Sequence, residues 1–278
     1  IHEAIEAQIA AFHHSENAIL FNSGYDANVG FFSSIPQRGD VVFYDELIHA
    51  SIRDGLQMGL AKSYKFKHND LEDLQAKVEK LTISGEVYVV TESIFSMDGD
   101  YPDLPTLVKF CNEKNIFLVV DEAHALGVFG ETGEGLLQHL NLHHKVFARI
   151  VTFGKGLGAH GAAILGSETL KEFIINFTRS FIYTTAIAPH SVATISSAYQ
   201  ELVHTSAIKK LLNSSPALYL SFSIPILFVV PSRIFLRRLF PWKKNPGNEK
   251  ALALKRAQIM TLLSISLRIS FNSSIKIN

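Results

Sequence analysis

Cysteine is nearly missing from this chain: Cys111 is the only one in 278 residues. A lone thiol excludes an internal disulfide framework and any metal site built on several cysteines, and it fits a reducing, cytoplasmic compartment. Cys111 itself reads as a small buried hydrophobe. Net charge is missing too, with 26 Lys+Arg against 26 Asp+Glu, so no broad field advertises nucleic acid or an anionic membrane, and partners must be argued locally. The first residues show no basic region followed by an apolar one. They are expected to carry no secretory leader and read as the middle of a longer protein. A membrane helix needs ~20 apolar residues; the nearest stretch, 217–230, is shorter and is broken by Pro225. A phosphate loop of the Gly-x-x-x-x-Gly-Lys-Ser/Thr kind is also absent, because Gly154-Lys155 is followed by Gly156. Without that loop the helicase-like spelling Asp121-Glu-Ala-His124 loses its meaning. Internal repeats and low-complexity tracts are absent as well.

What the chain does have is a succession of short apolar runs ending in polar residues. Ala4, Ile5, Ile9, Ala10 and Phe12 recur at helical spacing over residues 2–14, and strands are expected at 17–21, 40–44 and 64–68. The near-continuous runs at 87–93 and 116–121 have the look of parallel strands buried on both faces. Helices are expected at 70–80 and 104–114, between these strands, and the order β-α-β-α-β predicts an α/β fold: a mainly parallel sheet with helices on both faces and functional groups at the strands' carboxyl ends. A further strand at 150–153, a hairpin partner at 162–165 and helices at 167–178 and 188–212 complete a large domain over 1–212. Beyond Leu212 the texture changes, and 213–278 reads as a small, incomplete carboxy-terminal domain with no confident topology.

The chemistry gathers at a few strand ends. Lys155 stands among glycines directly after Val151-Thr-Phe153. A lysine amine becomes a good nucleophile when it is desolvated and held still, and flanking glycines let backbone approach closely; alone, the same pattern describes a surface lysine in a glycine-rich loop. Asp121 ends a buried run and His124 follows it, so both can address one ligand. His49 follows another strand end and could lie beside an aromatic ring. Asn22-Ser-Gly24-Tyr25, between a strand and a helix, offers free N–H groups to a phosphate, or simply caps a helix. The pairs His13-His14 and His143-His144 are poor chelates, since adjacent helical residues point about 100° apart. They read as solvated, and no metal site is expected. Gly127, Gly130, Gly133 and Gly135 imitate a dinucleotide fingerprint only weakly.

Five ordered motifs resemble those of the α-oxoamine synthases: Asn22-Ser-Gly-Tyr-Asp-Ala-Asn28, Thr91-Glu-Ser-Ile-Phe-Ser-Met-Asp-Gly-Asp100, Asp121-Glu-Ala-His124, Thr152-Phe-Gly-Lys155 and Phe181-Ile-Tyr-Thr-Thr185. These are pyridoxal 5'-phosphate enzymes of the aminotransferase class I/II fold, fold type I. Thr-Phe-Gly-Lys155 with Gly161-Ala-Ala163 resembles the 8-amino-7-oxononanoate synthase branch more than glycine C-acetyltransferase, 5-aminolevulinate synthase or serine palmitoyltransferase. The resemblance implies that Lys155 binds the cofactor as an imine and later moves the substrate α-proton, that Asp121 pairs with the pyridine nitrogen, and that His49 stacks on the ring. It implies His124 on the phenolic oxygen with Ser96 nearby, the backbone of Gly24 and Tyr25 and the hydroxyl of Thr152 on the phosphate, and Thr184 or Thr185 reaching across from a second subunit of a homodimer. Glu92 matches an acidic position near the site without an assigned role. Arg268, in Ser266-Leu-Arg-Ile-Ser270, would grip the amino-acid carboxylate. The implied reaction condenses L-alanine with pimeloyl-CoA or a pimeloyl acyl carrier protein, in biotin biosynthesis. The alternatives are another α-oxoamine synthase or a non-catalytic truncated homologue. The resemblance covers residues 1–210; the family's usual amino-terminal arm has no counterpart in the sequence.

Overall fold

A computed structural model describes residues 1–204, which build a seven-stranded sheet between layers of helices. In chain order the elements are α1 (His2–Phe12), β1 (Asn17–Phe21), α2 (Gly24–Ser34), β2 (Val41–Asp45), α3 (Ala50–Met58), β3 (Lys62–Phe66), α4 (Leu71–Lys80) and β4 (Val87–Glu92). There follow α5 (Leu104–Glu113), β5 (Phe117–Asp121), α6 (Leu136–His139), a 3-10 turn at His143–Lys145, β6 (Ala148–Thr152), β7 (Ala162–Gly166), α7 (Glu168–Phe177), α8 (Arg179–Ile182) and α9 (Pro189–His204). The sheet order is β1-β7-β6-β5-β4-β2-β3. Strands β3, β2, β4, β5 and β6 are mutually parallel, while β7 runs antiparallel to both its neighbours.

Alternation along the strands sorts the core into layers, because successive side chains point to opposite faces. Val42, Tyr88, Val90, Val119, Ile150 and Ile164 join one face, where Ala27 and Phe31 of α2 and Ile52 and Leu56 of α3 cover them. Phe43, Val89, Leu118 and Val120 go the other way, under Leu74 of α4 and Leu107, Val108 and Cys111 of α5. On that second side, Ile5 and Ile9 of α1 and Val192 and Ile195 of α9 cover Leu20, Val151 and Leu165. Cys111 is the buried hydrophobe its surroundings suggested, with its thiol pushed up to about 12 by burial.

Two details depart from the sequence reading. The third strand is Lys62–Phe66, two residues earlier than expected, because His68 and Asn69 turn back toward the end of β2. The Asn69 N–H reaches Asp45 Oδ2 at 2.8 Å, and Asn69 adopts φ +52°. His13 is not solvated: it is fully buried at the end of α1, with Nε2 2.9 Å from the Tyr199 hydroxyl of α9. The end of the helix expected at 188–212, the domain boundary at 212 and the whole of 213–278 lie outside the described residues.

Candidate active site

The parallel strands deliver their last residues to one edge of the sheet: Asp45 from β2, Glu92 from β4, Asp121 from β5 and Thr152 from β6. Register places Glu92 beside Asp121, and sets both Phe21 of β1 and Thr152 of β6 opposite Ala162. The chain leaving β1 therefore runs close to the end of β6. At Gly24 a Cβ would come within 2.4 Å of Thr152 Cγ2, so only glycine lets the start of α2 approach.

Lys155 and His124 meet through a second glycine contact. A Cβ on Gly156 would lie 2.1 Å from the Leu126 carbonyl oxygen, and Gly127, at φ +81°, packs its backbone against Gly156. This backbone seam brings Lys155 Nζ to 2.6 Å from His124 Nε2. Burial lowers the Lys155 ammonium from its ordinary value, against the opposing pull of Asp121 and Glu92. Burial and the Lys155 charge push His124 down to about 3, so its ring is neutral and accepts from Nζ.

Asp121 is buried, and two N–H donors hold it: Ala123 N–H to Oδ1 at 2.9 Å and Asn28 Nδ2 to Oδ2 at 2.9 Å. Glu92 Oε1 accepts the His49 N–H at 2.6 Å; burial, then the Asp121 charge, push Glu92 up to about 8. His49 caps α3, its Nδ1 accepting from Ser51 N–H at 3.2 Å, and its ring lies at the open side of the site. Burial lowers its pKa first and the Lys155 and Arg53 charges lower it further, against Asp121. The site thus collects a desolvated amine, a fixed carboxylate and two neutral imidazoles.

An anion has a place here as well. The Thr152 hydroxyl is buried and without a hydrogen-bond partner, next to the first turn of α2, where Ser23 caps the helix by accepting from the Asp26 N–H. The first N–H groups of a helix have no partner inside it and carry partial positive charge. An orphaned hydroxyl beside them fits a phosphate oxygen. Tyr25 is exposed, and its own hydroxyl is committed to Asp54 at 2.9 Å.

Other expected residues fall as follows. Ser96 is half-buried in the turn after β4. Thr184 and Thr185 are exposed and are held against Asn22 of their own chain, Asn22 Nδ2 reaching Thr184 Oγ1 at 3.2 Å and the Thr185 carbonyl at 2.7 Å. Arg268 lies outside the described residues. Sequence reasoning gave no role to Asn28 and passed over Ser51, which link Asp121 to His49. Asn28 ends a quoted motif, but its spacing gives no sign of its partner 93 residues away. The Gly127–Gly156 seam also went unread, since each glycine looked like part of a separate loop.

Comparison with known proteins decides the family. Residues 1–266 match the sequence family described as aminotransferase class I and II. The chain belongs to that family. Its curated relatives include the 8-amino-7-oxononanoate synthases of Emericella nidulans, 44% identical over 72% of this chain and 52% of the relative, and of Cellvibrio japonicus, 44% identical over 75% and 52%. Among solved structures, the serine palmitoyltransferase of Sphingomonas wittichii superposes with TM-score 0.72 at 32% identity, covering 75% of this chain and 52% of that one. The 8-amino-7-oxononanoate synthase of Francisella tularensis does so with TM-score 0.67 at 31% identity, covering 75% and 60%. A serine palmitoyltransferase of S. paucimobilis, solved with pyridoxal phosphate and myriocin bound, gives TM-score 0.73 at 30% identity, covering 77% and 56%. All are α-oxoamine synthases of the pyridoxal-phosphate fold type I. The chain spans about half the length of the curated relatives it matches. Among the described residues no helix is long and apolar enough to cross a membrane.

Proposed function

We propose that this chain is a pyridoxal-phosphate-dependent C-acyltransferase of the 8-amino-7-oxononanoate synthase type, condensing L-alanine with pimeloyl-CoA or a pimeloyl acyl carrier protein, with loss of carbon dioxide, in the cytoplasm. The observation that carries the reading is Lys155: a desolvated amine on His124, with the carboxyl groups of Asp121 and Glu92 close by. The residues fit the cofactor. Lys155 would hold it through Nζ, Asp121 would sit against its ring nitrogen, and His49 against its ring. The Thr152 hydroxyl and the first N–H groups of α2 would hold its phosphate. When bound, pyridoxal phosphate supplies an electron sink for the carbanion formed at the amino-acid α-carbon.

The chain's own groups then have separable tasks. Desolvation weakens the hold of Lys155 on its proton, which suits Nζ to take and return the α-proton. Neutral His124 accepts a hydrogen bond from Nζ and orients it. Asp121, pinned by Asn28 and the Ala123 N–H, keeps its charge in one place. Thr184 or Thr185 would complete the phosphate site of a second subunit in a homodimer, and Arg268 would anchor the substrate carboxylate.

Likeness to serine palmitoyltransferases supports a second reading with serine and a longer acyl chain. Purified chain mixed with pyridoxal phosphate is expected to develop a visible absorbance band that borohydride fixes and Lys155→Ala removes. A colourless wild type overturns the proposal. Turnover across alanine, glycine and serine, each with pimeloyl and palmitoyl thioesters, separates the two readings.

A further inference from the structure

The buried polar residues behind the site form a directed chain. Asn28, at 2% exposure, donates through Nδ2 to Asp121 Oδ2 at 2.9 Å and to Ser51 Oγ at 3.0 Å. The reverse amide would set Oδ1 against a carboxylate oxygen, acceptor facing acceptor, so the donor side is fixed. Ser51, fully buried, receives from Asn28 and has one hydrogen left to give. Its other neighbour is His49 Nδ1 at 2.7 Å. The Ser51 N–H aims at the same nitrogen at 3.2 Å. Two donors on Nδ1 leave it no proton, which places the ring hydrogen on Nε2. Asn28 Oδ1, meanwhile, is buried with no partner. An orphaned carbonyl is costly, and it persists because both amide hydrogens are engaged elsewhere.

We infer that Asn28 and Ser51 are positioning residues, a one-way relay that ties the carboxylate of Asp121 to the imidazole of His49 and locks that ring as the neutral Nε2–H form. The relay rests on the proposed cofactor reading for its use, since it joins the group expected at the ring nitrogen to the one expected on the ring face, but its geometry stands without the cofactor. The helix works in the same direction. His49 is the N-cap of α3, and an imidazolium at that positive end would lose the cap and face the dipole. The charged and titratable groups around the ring are Glu92 on β4, Asp121 on β5, His124 after it, Lys155 after β6, and Arg53 and Asp54 on α3.

The test uses the full chain labelled with 15N-histidine, without added cofactor, the His49 signals being identified by their loss in His49→Gln. Long-range 1H–15N spectra are expected to show His49 with an unprotonated Nδ1 and a protonated Nε2. Ser51→Ala is expected to release the lock, giving a mixture of tautomers, and Ser51→Thr, which keeps the hydroxyl, to restore it. A wild-type His49 protonated on Nδ1, or a single unchanged tautomer in a folded Ser51→Ala chain, overturns the inference. With pyridoxal phosphate added, Asn28→Ala is expected to move the pH midpoint of the cofactor band by about one unit, a tenfold change in the proton equilibrium; an unmoved midpoint overturns the link to Asp121. If no band forms, the functional proposal fails while the tautomer measurement still decides the relay.

Discussion

Asp121 and Glu122 leave the end of β5 side by side, both are buried, and they serve opposite ends. Asp121 turns to the site, where it shares surroundings with an amine, two imidazoles and the unpartnered Thr152 hydroxyl. Glu122 turns into the interior. Its Oε1 accepts the Leu137 N–H at 2.9 Å and its Oε2 faces Arg149 Nη1 at 3.6 Å. Arg149 in turn donates to the His13 carbonyl, and His13 leans on Tyr199. This second cluster ties α1, β5, β6 and α9 together and sets its carboxylate against an arginine, although Glu122 Oε2, Arg149 Nη1 and His13 Nδ1 make no hydrogen bond. The first gathers a desolvated amine, a carboxylate and an orphaned hydroxyl at the carboxyl ends of parallel strands. Buried charge and orphaned polar atoms alone therefore do not mark a site; what distinguishes one is the combination of groups and their place at the strand ends.

The sharpest way to break this contrast is to exchange the two losses. Glu122→Ala strands Arg149 in the core and is expected to lower unfolding stability by about 3–5 kcal/mol, measured by denaturant unfolding. Asp121→Asn is expected to cost under about 2 kcal/mol yet cut turnover of amino acid and thioester on the order of 10²–10³-fold. Equal stability losses would erase the distinction. Next in size is Gly156→Ala. Its Cβ would collide with the Leu126 carbonyl, and overpacking costs about 1–3 kcal/mol. Because the seam also sets Lys155 on His124, borohydride-fixed cofactor is expected to fall while far-UV circular dichroism is retained.

Two smaller effects compare titrating groups inside and outside the site. Glu92, raised to about 8, stays protonated in the folded chain where the unfolded chain has already ionised. Stability should fall as pH rises through the window between the ordinary carboxylate range and 8, and Glu92→Gln should flatten that slope. His68 lies outside the site. Burial alone would lower it, but Asp45 at 2.9 Å and Asp100 at 2.8 Å outweigh burial and raise it. Its contribution is fully present below pH ~6.5 and is lost as pH rises through the raised value, so wild type and His68→Gln should converge in melting temperature at alkaline pH. A gap that widened with pH would contradict this sign.

The sheet was legible because buried parallel strands leave continuous apolar runs, and because Asp121, Thr152 and Lys155 stand directly at the ends of such runs. His49, His124 and Gly24 could be placed for the same reason. What could not be read depends on partners distant in the chain. Nothing near His13 announces Tyr199, nothing near Asn28 announces Asp121, and Gly127 and Gly156 acquire meaning only when their backbones touch. Residues 64–68 read locally as one short strand, and the pull of Asp45 on Asn69 that ends the strand early is invisible there.

The central claim is that residue 155 holds the cofactor. Borohydride reduction of the chain with pyridoxal phosphate, followed by proteolysis and peptide mass mapping, tests it directly. The reduced pyridoxyl group is expected on the peptide containing Lys155 and, at stoichiometric amounts, on no other. A label spread over exposed lysines, or concentrated at a different one, would contradict the account.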